Sequence, residues 1–264
     1  PSAIELFSLT TVSVCAEIIA EITTADKKIT GAARWLKASR VYVVTVTKKG
    51  TTGSSIEHKI PLHTVVNLRV KEPANLQENI AKVMRGDYST PVSALEKIVD
   101  KYEMLVHDVA AAGPLAKCYL KMGKTREAYK TIQKVLESNP RGKLDEFLGP
   151  VYLEILLALK KSSELEKAIQ AAIEEGGRGL AAKAQIIRGD LYKQQGNLDE
   201  ALIDGYLRTV LLFAREKDAQ PEALYKAVKC LEDLRRTANA EKLRKKLLVE
   251  YPRSSYTQKI KIGT

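Results

Sequence analysis

The 264-residue sequence contains few cysteines, few aromatic residues and no long hydrophobic run. Its three cysteines, Cys15, Cys118 and Cys230, form no CxxC pair and no even framework, so we expect no disulfide and interpret Cys118 and Cys230 as small buried hydrophobes. The longest apolar candidate, residues 151–159, is interrupted by Glu154 and is shorter than the roughly 18 residues that a membrane span needs. The sequence therefore predicts no transmembrane segment.

The motifs of common catalytic and nucleotide-binding sites are also missing from the sequence. It contains no HExxH, GxSxG, GxxxxGK[ST] or GxGxxG. His58 and His63 are spaced to lie on opposite faces of a straight strand, and His107-Asp108 has no candidate nucleophile beside it. We therefore expect a protein that is not an enzyme and that needs no cofactor or metal.

Residues 1–72 alternate with the period of two that is typical of β-strands. One run of alternating apolar residues ends with Ile18, Ala20 and Ile22 on one face, and residues 40–47 are rich in β-branched side chains. Four to six short strands in this segment predict a small all-β barrel. A glycine-containing loop is expected at residues 48–55.

The stretch Ile60–Val70 resembles the last two strands of an SH3-like or Sm-like barrel, joined by a short turn. This resemblance implies a platform for nucleic acid or a peptide. The alternative is a capping module that covers the open end of a helical array, because terminal repeats need a polar cap.

From residue 73 the apolar residues recur with a period of about 3.6, which is typical of amphipathic helices. Turn signals follow at intervals of about 37 residues, near positions 86, 123, 161, 196 and 235. This regular spacing predicts about five helical hairpins.

Residues 115–140 carry the clearest repeat motif. The positions that matter are Tyr119, Gly123, Ala128, Val135 and Pro140. They fall on the Tyr, turn Gly, Ala, Ala and Pro positions of a pattern of about 34 residues, so the stretch resembles a tetratricopeptide repeat. The resemblance implies a solenoid, because one such repeat cannot bury its own apolar face.

The fourth predicted hairpin resembles the same family but departs from it downstream. It matches the family's Gly, Tyr, Gly and Ala at Gly189, Tyr192, Gly196 and Ala201. Gly205 then occupies the family's aromatic position and Tyr206 follows one residue late, as though one residue were inserted. The register of the second helix of this hairpin is left open.

The ending Leu247–Tyr256 is similar to repeat ends in bacterial envelope proteins of this superfamily, such as the lipoproteins that help assemble outer-membrane barrels and the coordinators of the Tol-Pal system. This resemblance favours the periplasm or cell envelope if a signal peptide has been removed before Pro1, and the cytoplasm otherwise.

In tetratricopeptide arrays the first helix of each hairpin lines a concave groove that binds a partner. Carried over by repeat position, the resemblance places eight residues on this face: Lys117, Lys121, Lys183, Asp190, Lys193, Gln194, Tyr225 and Lys229. The carboxylate clamp of chaperone-binding members is not reproduced, because Gly113 and Ile186 stand where its basic residues would be. The alternative interpretation of these lysines is a solvated helix face.

Positive charge is concentrated at the end of the chain. The net charge is +4 over residues 1–72, zero over 73–234 and +7 over 235–264. We expect Arg244, Lys245 and Lys246 on the outer side of the last helix, and Lys259 and Lys261 in a mobile tail. This basic tail (Lys245, Lys246, Lys259 and Lys261) is interpreted as a solubilising cap and as a weak site for acidic partners or anionic lipid headgroups.

The combined prediction is an α+β chain by segments. It comprises a small N-terminal all-β barrel (1–72), an all-α tetratricopeptide-like solenoid of about five hairpins (73–257) and a basic tail (258–264). The predicted function is a non-enzymatic scaffold that binds a peptide or protein partner in the groove. The alternative is nucleic-acid binding by the barrel and the basic tail, although Phe7, Trp35 and Tyr42 are few aromatic residues for base stacking.

Overall fold

The computed structural model describes residues 17–47 and 55–262. The chain divides into two compact units. A sheet unit comprises Pro1–Glu72 together with Met104–Val106, and a helical unit comprises Pro73–Glu103 and His107–Thr264.

The sheet unit contains one five-stranded antiparallel sheet. Its strands are β1 (Ile19–Thr24), β2 (Lys28–Leu36), β3 (Val41–Thr47), β4 (Ser55–Pro61) and β5 (Val65–Val70). They lie in the order β4-β3-β2-β1-β5, so the first strand pairs with the last. A 3-10 turn at Leu62–Thr64 connects β4 to β5.

The buried apolar residues of the sheet lie just before β1 and on β1 to β4, and they include three consecutive residues of β3, Tyr42 to Val44. Ile18, Ala20 and Ile22 are buried, which confirms the predicted alternation at these positions. The earlier part of that run, residues 12–16, and residues 48–54 of the predicted loop lie outside the described residues, whereas Ser55, its last predicted residue, begins β4. The five-stranded sheet is established, whereas its closure into a barrel stays a prediction.

The helical unit consists of successive antiparallel helices. They are α1 (Leu76–Met84), α2 (Val92–Lys101), α3 (His107–Lys121), α4 (Thr125–Ser138), α5 (Leu148–Ala158), α6 (Ser162–Glu174), α7 (Arg178–Gln194), α8 (Leu198–Glu200), a π-helical segment (Ala201–Leu207), α9 (Arg208–Leu212), α10 (Gln220–Asp233), α11 (Thr237–Glu250) and α12 (Ser255–Ile262). Counting α8, the π-helical segment and α9 as one second helix, α1 to α11 form five hairpins. The predicted fold class is confirmed.

All five predicted turns adopt the left-handed backbone conformation. Gly86, Gly123 and Gly196 have φ angles of 91°, 76° and 86°, which glycine adopts without a Cβ clash. Lys160 and Arg235 occupy the equivalent turns with φ angles of 55° and 57°. The turn signals therefore located the hairpins correctly, including the two turns that lack glycine.

Apolar side chains of neighbouring hairpins pack into two core clusters. One runs from Leu76 to Leu191 and the other from Ala182 to Ile260. Cys118 and Cys230 are buried within them, which confirms their interpretation as small buried hydrophobes, whereas Cys15 lies outside the described residues. Within the described ranges, no helix combines the length and the apolar character needed to cross a membrane.

The π-helical segment lies where the sequence suggested an inserted residue. Gly205 packs directly against Gly189 of α7, and a Cβ on Gly205 would collide with the Gly189 Cα atom. Backbone carbonyls of this segment accept hydrogen bonds from side chains: Gln185 Nε2 donates to Asp204, and Thr209 Oγ1 donates to Gly205 at 3.1 Å. These bonds connect the π-helical segment to Gln185 of α7 and to Thr209 of α9.

The expectation of a mobile tail is wrong for the described part of it. Residues 255–262 form α12, in which Thr257 and Ile260 are buried. Thr257 Oγ1 donates to the Tyr251 carbonyl at 2.6 Å, and the ring of Tyr256 lies 5.6 Å from that of Tyr225 on α10. The helix forms because its apolar side chains cover the exposed side of the last hairpin.

Candidate functional site

The first helices of successive hairpins lie side by side in the helical unit. α1 contacts α3, α3 contacts α5, α5 contacts α7, and α10 contacts α12. Side-chain ion pairs connect α7 to α10, among them Lys226 to Asp190 at 2.6 Å. We call the surface formed by α1, α3, α5, α7 and α10 the first-helix face.

All eight residues predicted for the groove lie on first helices. Lys117 and Lys121 are in α3, four more are in α7, and Tyr225 and Lys229 are in α10. Lys121 and Gln194 are exposed. The other six side chains contact protein groups that the sequence analysis did not identify.

Most of the predicted lysines on this face form ion pairs. Lys117 Nζ contacts both carboxylate oxygens of Glu154 on α5 at 2.5 and 2.8 Å. Lys193 pairs with Asp233 at 2.6 Å, and Lys229 pairs with Glu232 of its own helix at 2.9 Å. Two of these three ion pairs therefore connect neighbouring hairpins, while the Lys193 and Asp233 side chains remain 43% and 47% exposed.

A half-buried group of four charges connects α7 to α10, and we call it the ion-pair network. Lys183 pairs with Glu222 at 2.7 Å, and Lys226 pairs with both Glu222 (2.9 Å) and Asp190 (2.6 Å). Tyr206 from the π-helical segment donates to Asp190 at 2.9 Å. Two lysines and two carboxylates balance, so the network adds no net charge to the face.

Burial and pairing shift the pKa values in the network in opposite directions. Burial raises the pKa of Glu222, but Lys226 and Lys183 outweigh it and bring the pKa to about 2. Burial lowers the pKa of Lys226, but Glu222 and Asp190 outweigh it and raise the pKa above its usual range. At Asp190 burial dominates over Lys226 and Tyr206, and its pKa is raised.

Sequence reasoning found Lys183 and Asp190 but missed their partners. Glu222 and Lys226 are spaced i, i+4 in α10, which is the spacing of a helical ion pair and could have indicated them. Tyr206 was noted for its displaced position but not for its hydroxyl. Lys226 contacts Asp190 because α10 packs beside α7, and the spacing of residues within α10 does not show this packing.

An apolar cavity of about 260 Å³ opens between α1, α3 and α5. It is lined by Ile80, Val83, Met84, Tyr88, Gly113, Pro114, Lys117, Phe147 and Val151. Met84 and Phe147 are 76% and 60% exposed, so they form its rim. We call it the α1–α3–α5 cavity.

The close packing of α5 against α3 requires glycine at position 113, where a carboxylate clamp would need a basic residue. A Cβ on Gly113 would lie 3.1 Å from the Leu148 backbone nitrogen, so glycine allows α5 to approach α3 closely. This approach brings Phe147 to the cavity. Ile186, the second position of the missing clamp, is buried in the core.

A second cavity, of about 310 Å³, lies beside the first, and its lining is polar and apolar in equal parts. Its lining residues are Glu146, Phe147, Pro150, Gly179, Lys183, Glu216, Lys217, Asp218 and Ala219. Phe147 lines both cavities. The face therefore offers an apolar site next to a charged one. Among the described residues, no cluster of His, Cys, Asp or Glu could hold a metal ion.

The basic residues at the end of the chain are less uniformly exposed than predicted. The placement of Arg244 on the outer side is wrong: its side chain is 18% exposed and pairs with Glu232 and Glu241. The reason is that this side of α11 faces α10, which carries Glu232.

The four residues named as the basic tail lie on α11 and α12. Lys245 and Lys261 are exposed and Lys246 is half-buried. Lys259 Nζ lies 4.9 Å from the centre of the Tyr256 ring. These residues are part of folded helices.

Comparison with known proteins agrees with the hairpin architecture over one repeat. Residues 115–141, which span the end of α3, the Gly123 turn and α4, match the tetratricopeptide repeat family model. No curated protein matches the chain in sequence.

Several solved structures are similar to the chain. A crystal structure of MamA is 19% identical, covers 64% of this chain and 92% of its own, and has a TM-score of 0.44. A second MamA structure is 18% identical over 66% and 96%, with a TM-score of 0.45. PilF of Pseudomonas aeruginosa is 15% identical over 72% and 96%, with a TM-score of 0.43.

Proposed function

We propose that the protein is a non-enzymatic scaffold that binds a peptide or protein partner in a groove along the first-helix face. The observation that carries this proposal is the pair of adjacent cavities that share Phe147 on this face. Stacked helical repeats create extended surfaces of this kind and use them for binding. The tetratricopeptide match at residues 115–141 supports the same class of function.

The ion pairs on the face support a binding role over a catalytic one. Lys117 is held by Glu154, and Lys183 and Lys226 are held by Glu222. A lysine held in this way is not positioned as a nucleophile or a base. Its contribution is to fix the geometry of the surface on which a partner docks.

The test is a quantitative affinity purification from native extract with the full chain as bait. The variant carries Met84→Glu and Phe147→Glu, which places charge on the rim of the apolar cavity. The control carries Val249→Glu, a residue of α11 that is 78% exposed and lies on a second helix. We expect a protein partner that wild type and the control retain and the double variant loses.

Recovery of the same proteins by wild type and the double variant would refute binding at the two cavities that share Phe147. The absence of any partner, together with turnover of a substrate in a panel of hydrolase and transferase assays, would refute the scaffold function itself.

For the sheet unit we propose closure into an SH3-like or Sm-like barrel. Its edge strands β4 and β5 are consecutive in the chain and are joined by the three-residue turn Leu62–Thr64. Such a turn brings the ends of the two edge strands together, which supports closure. NMR contacts between backbone protons of β4 and β5 beyond the turn are expected, and a lack of them would leave an open sheet.

Nucleic-acid binding is the second candidate, and the exposed cations of α11 and α12 favour it. Replacing Lys245, Lys246, Lys259 and Lys261 by Gln should weaken such binding and leave the melting temperature nearly unchanged, because none of the four is buried. Filter binding tests the mode directly. An affinity that does not change between low and physiological salt would exclude a phosphate-driven interaction.

A further inference from the structure

We propose that the α1–α3–α5 cavity receives one apolar side chain from a partner segment that carries acidic residues beside this anchor. The proposal rests on the scaffold function proposed above and assigns the chemistry of the partner. Three features of the described residues lead to it: the size of the cavity, the state of its one charged lining residue, and the charges at its rim.

The size of the cavity fits a side chain and not a cofactor. Its volume is about 260 Å³, whereas pockets for drug-sized ligands begin at roughly 300 Å³ and an engineered cavity of about 150 Å³ holds benzene. Ile80, Val83, Met84, Phe147 and Val151 supply an apolar wall. One large aliphatic or aromatic side chain fits into this space and would remove part of the Met84 and Phe147 side chains from water.

The one charged residue in the lining is already satisfied. Lys117 Nζ lies 2.5 and 2.8 Å from the two carboxylate oxygens of Glu154. The charge of Lys117 is therefore already balanced by Glu154 within the protein. The anchor that enters the cavity must be apolar, because a charged group there would find no partner.

The rim near the carboxyl ends of α1 and α3 is positively charged. Arg85 directly follows the lining residue Met84, and Lys121 lies one helical turn beyond Lys117 on α3. Both are exposed, and within residues 17–47 and 55–262 neither side chain forms an ion pair. Arg85 adds a weak attraction to Glu78, which Lys82 already pairs at 2.7 Å.

The acidic residues nearby do not neutralise this rim. Asp87 is engaged in its own turn, where it accepts hydrogen bonds from the backbone of Ser89 at 3.2 Å and of Thr90 at 3.1 Å. Glu146 is exposed on the other side of Phe147, in the second cavity. Acidic residues of the partner are therefore directed toward the α1–α3 side of its anchor.

The test begins with selection from a phage-displayed library of random 12-residue peptides on the full chain. We expect enrichment of peptides that contain a Leu, Ile, Met or Phe next to Asp or Glu. The position of the selected peptide is then measured by NMR through the methyl signal of Met84, which is 76% exposed at the rim. A saturable shift of this signal is expected.

Affinities of the selected peptide for variants separate the two parts of the proposal. Val151→Phe fills the cavity and should weaken binding at least about 10-fold. Met84→Glu is a second cavity variant at an exposed position, in case Val151→Phe does not fold. Arg85→Glu with Lys121→Glu should weaken binding by about 10-fold at low salt and less at high salt. The control Lys160→Glu, on the turn after α5, should change the affinity less than about 2-fold.

Each remaining outcome overturns a defined statement. Peptides that bind without an apolar anchor, or whose affinity is unchanged in both cavity variants, would overturn this inference and leave the scaffold function standing. If no peptide is enriched and no partner is captured in the purification described above, both fail. A Met84 signal that shifts with protein concentration alone would assign the cavity to a second copy of the chain.

Discussion

Removing the ammonium group of Lys226 is the most informative perturbation of the helical unit. Its amine contacts Asp190 at 2.6 Å and Glu222 at 2.9 Å, and it is the one group that joins both carboxylates of the ion-pair network. In a Lys226→Met variant, Glu222 keeps Lys183, but Asp190 keeps only the Tyr206 hydroxyl. Two partly buried carboxylates then remain with one cation.

The expected loss of stability follows from the burial of these groups. Breaking a fully buried ion pair by removing one partner costs about 3–5 kcal/mol. The side chains of Lys226 and Asp190 keep 24% and 21% of their accessible surface, so residual solvation reduces the cost to about 2–3 kcal/mol. For a unit of this size this corresponds to a decrease in melting temperature of about 4–12 °C.

Urea unfolding followed by far-ultraviolet circular dichroism measures this loss. Adding Asp190→Asn to Lys226→Met should restore about 1 kcal/mol or more, because the uncompensated charge is removed. Lys193→Met is the matched control on the same pair of helices. Its exposed pair with Asp233 (side chains 43% and 47% exposed) should contribute less than about 1 kcal/mol.

The explanation fails if Lys226→Met costs no more than Lys193→Met. It also fails if the Asp190→Asn change makes Lys226→Met less stable still. In either case the network would be a solvated surface feature, and its shifted pKa values would have no consequence for folding.

Three further predictions concern other parts of the helical unit. The pKa of Glu222 is about 2 in the folded protein, against a usual value of 4.5. Its ionised form therefore stabilises the fold above about pH 4.5, and this contribution is lost as the pH falls toward 2. In acid titrations of unfolding, wild type should lose about 3 kcal/mol more stability over this range than Glu222→Gln. Gly205→Ala should cost at least about 2 kcal/mol in urea unfolding, because the added methyl group would collide with the Cα atom of Gly189, and an unchanged midpoint would contradict the close packing of these two glycines. Arg235→Gly should increase the free energy of unfolding by about 0.5–1 kcal/mol and so raise the melting temperature slightly, because a φ of 57° is unfavourable for a residue with a Cβ atom. A decrease in melting temperature would show that the Arg235 side chain contributes contacts of its own.

The local features of the fold were predictable because each has a short-range physical cause. Turns at Gly86, Gly123 and Gly196 follow from residues that adopt positive φ at no cost, and the 37-residue spacing located the turn at Lys160 as well. The alternation of Ile18, Ala20 and Ile22 identified strand β1. Each of these sequence patterns lies within a few residues of the turn or strand that it predicts.

The contacts of the candidate site were less predictable because they join residues far apart in the chain. Repeat position placed Lys183 on a first helix, where it lies in the structure, but its partner Glu222 is 39 residues away on the next first helix. Arg244 was misplaced because its partner Glu232, only 12 residues away, lies on the other helix of the same hairpin. The apolar cavity depends on how closely α5 approaches α3 at Gly113, a property of packing that no local pattern reports.

The π-helical segment shows how one repeat of the helical unit can contain more residues than its neighbours. Successive turns lie at residues 86, 123, 160, 196 and 235, so the fourth interval is two or three residues longer than the others. The widened segment accommodates its extra residue within one helix, and the next hairpin again packs in register, with Ala223 and Leu224 fully buried. An insertion in one repeat therefore alters that repeat and leaves its neighbours unchanged. The same widened segment carries Tyr206, whose hydroxyl donates to Asp190 of α7, so the irregularity that absorbs the extra length also supplies a polar contact between helices.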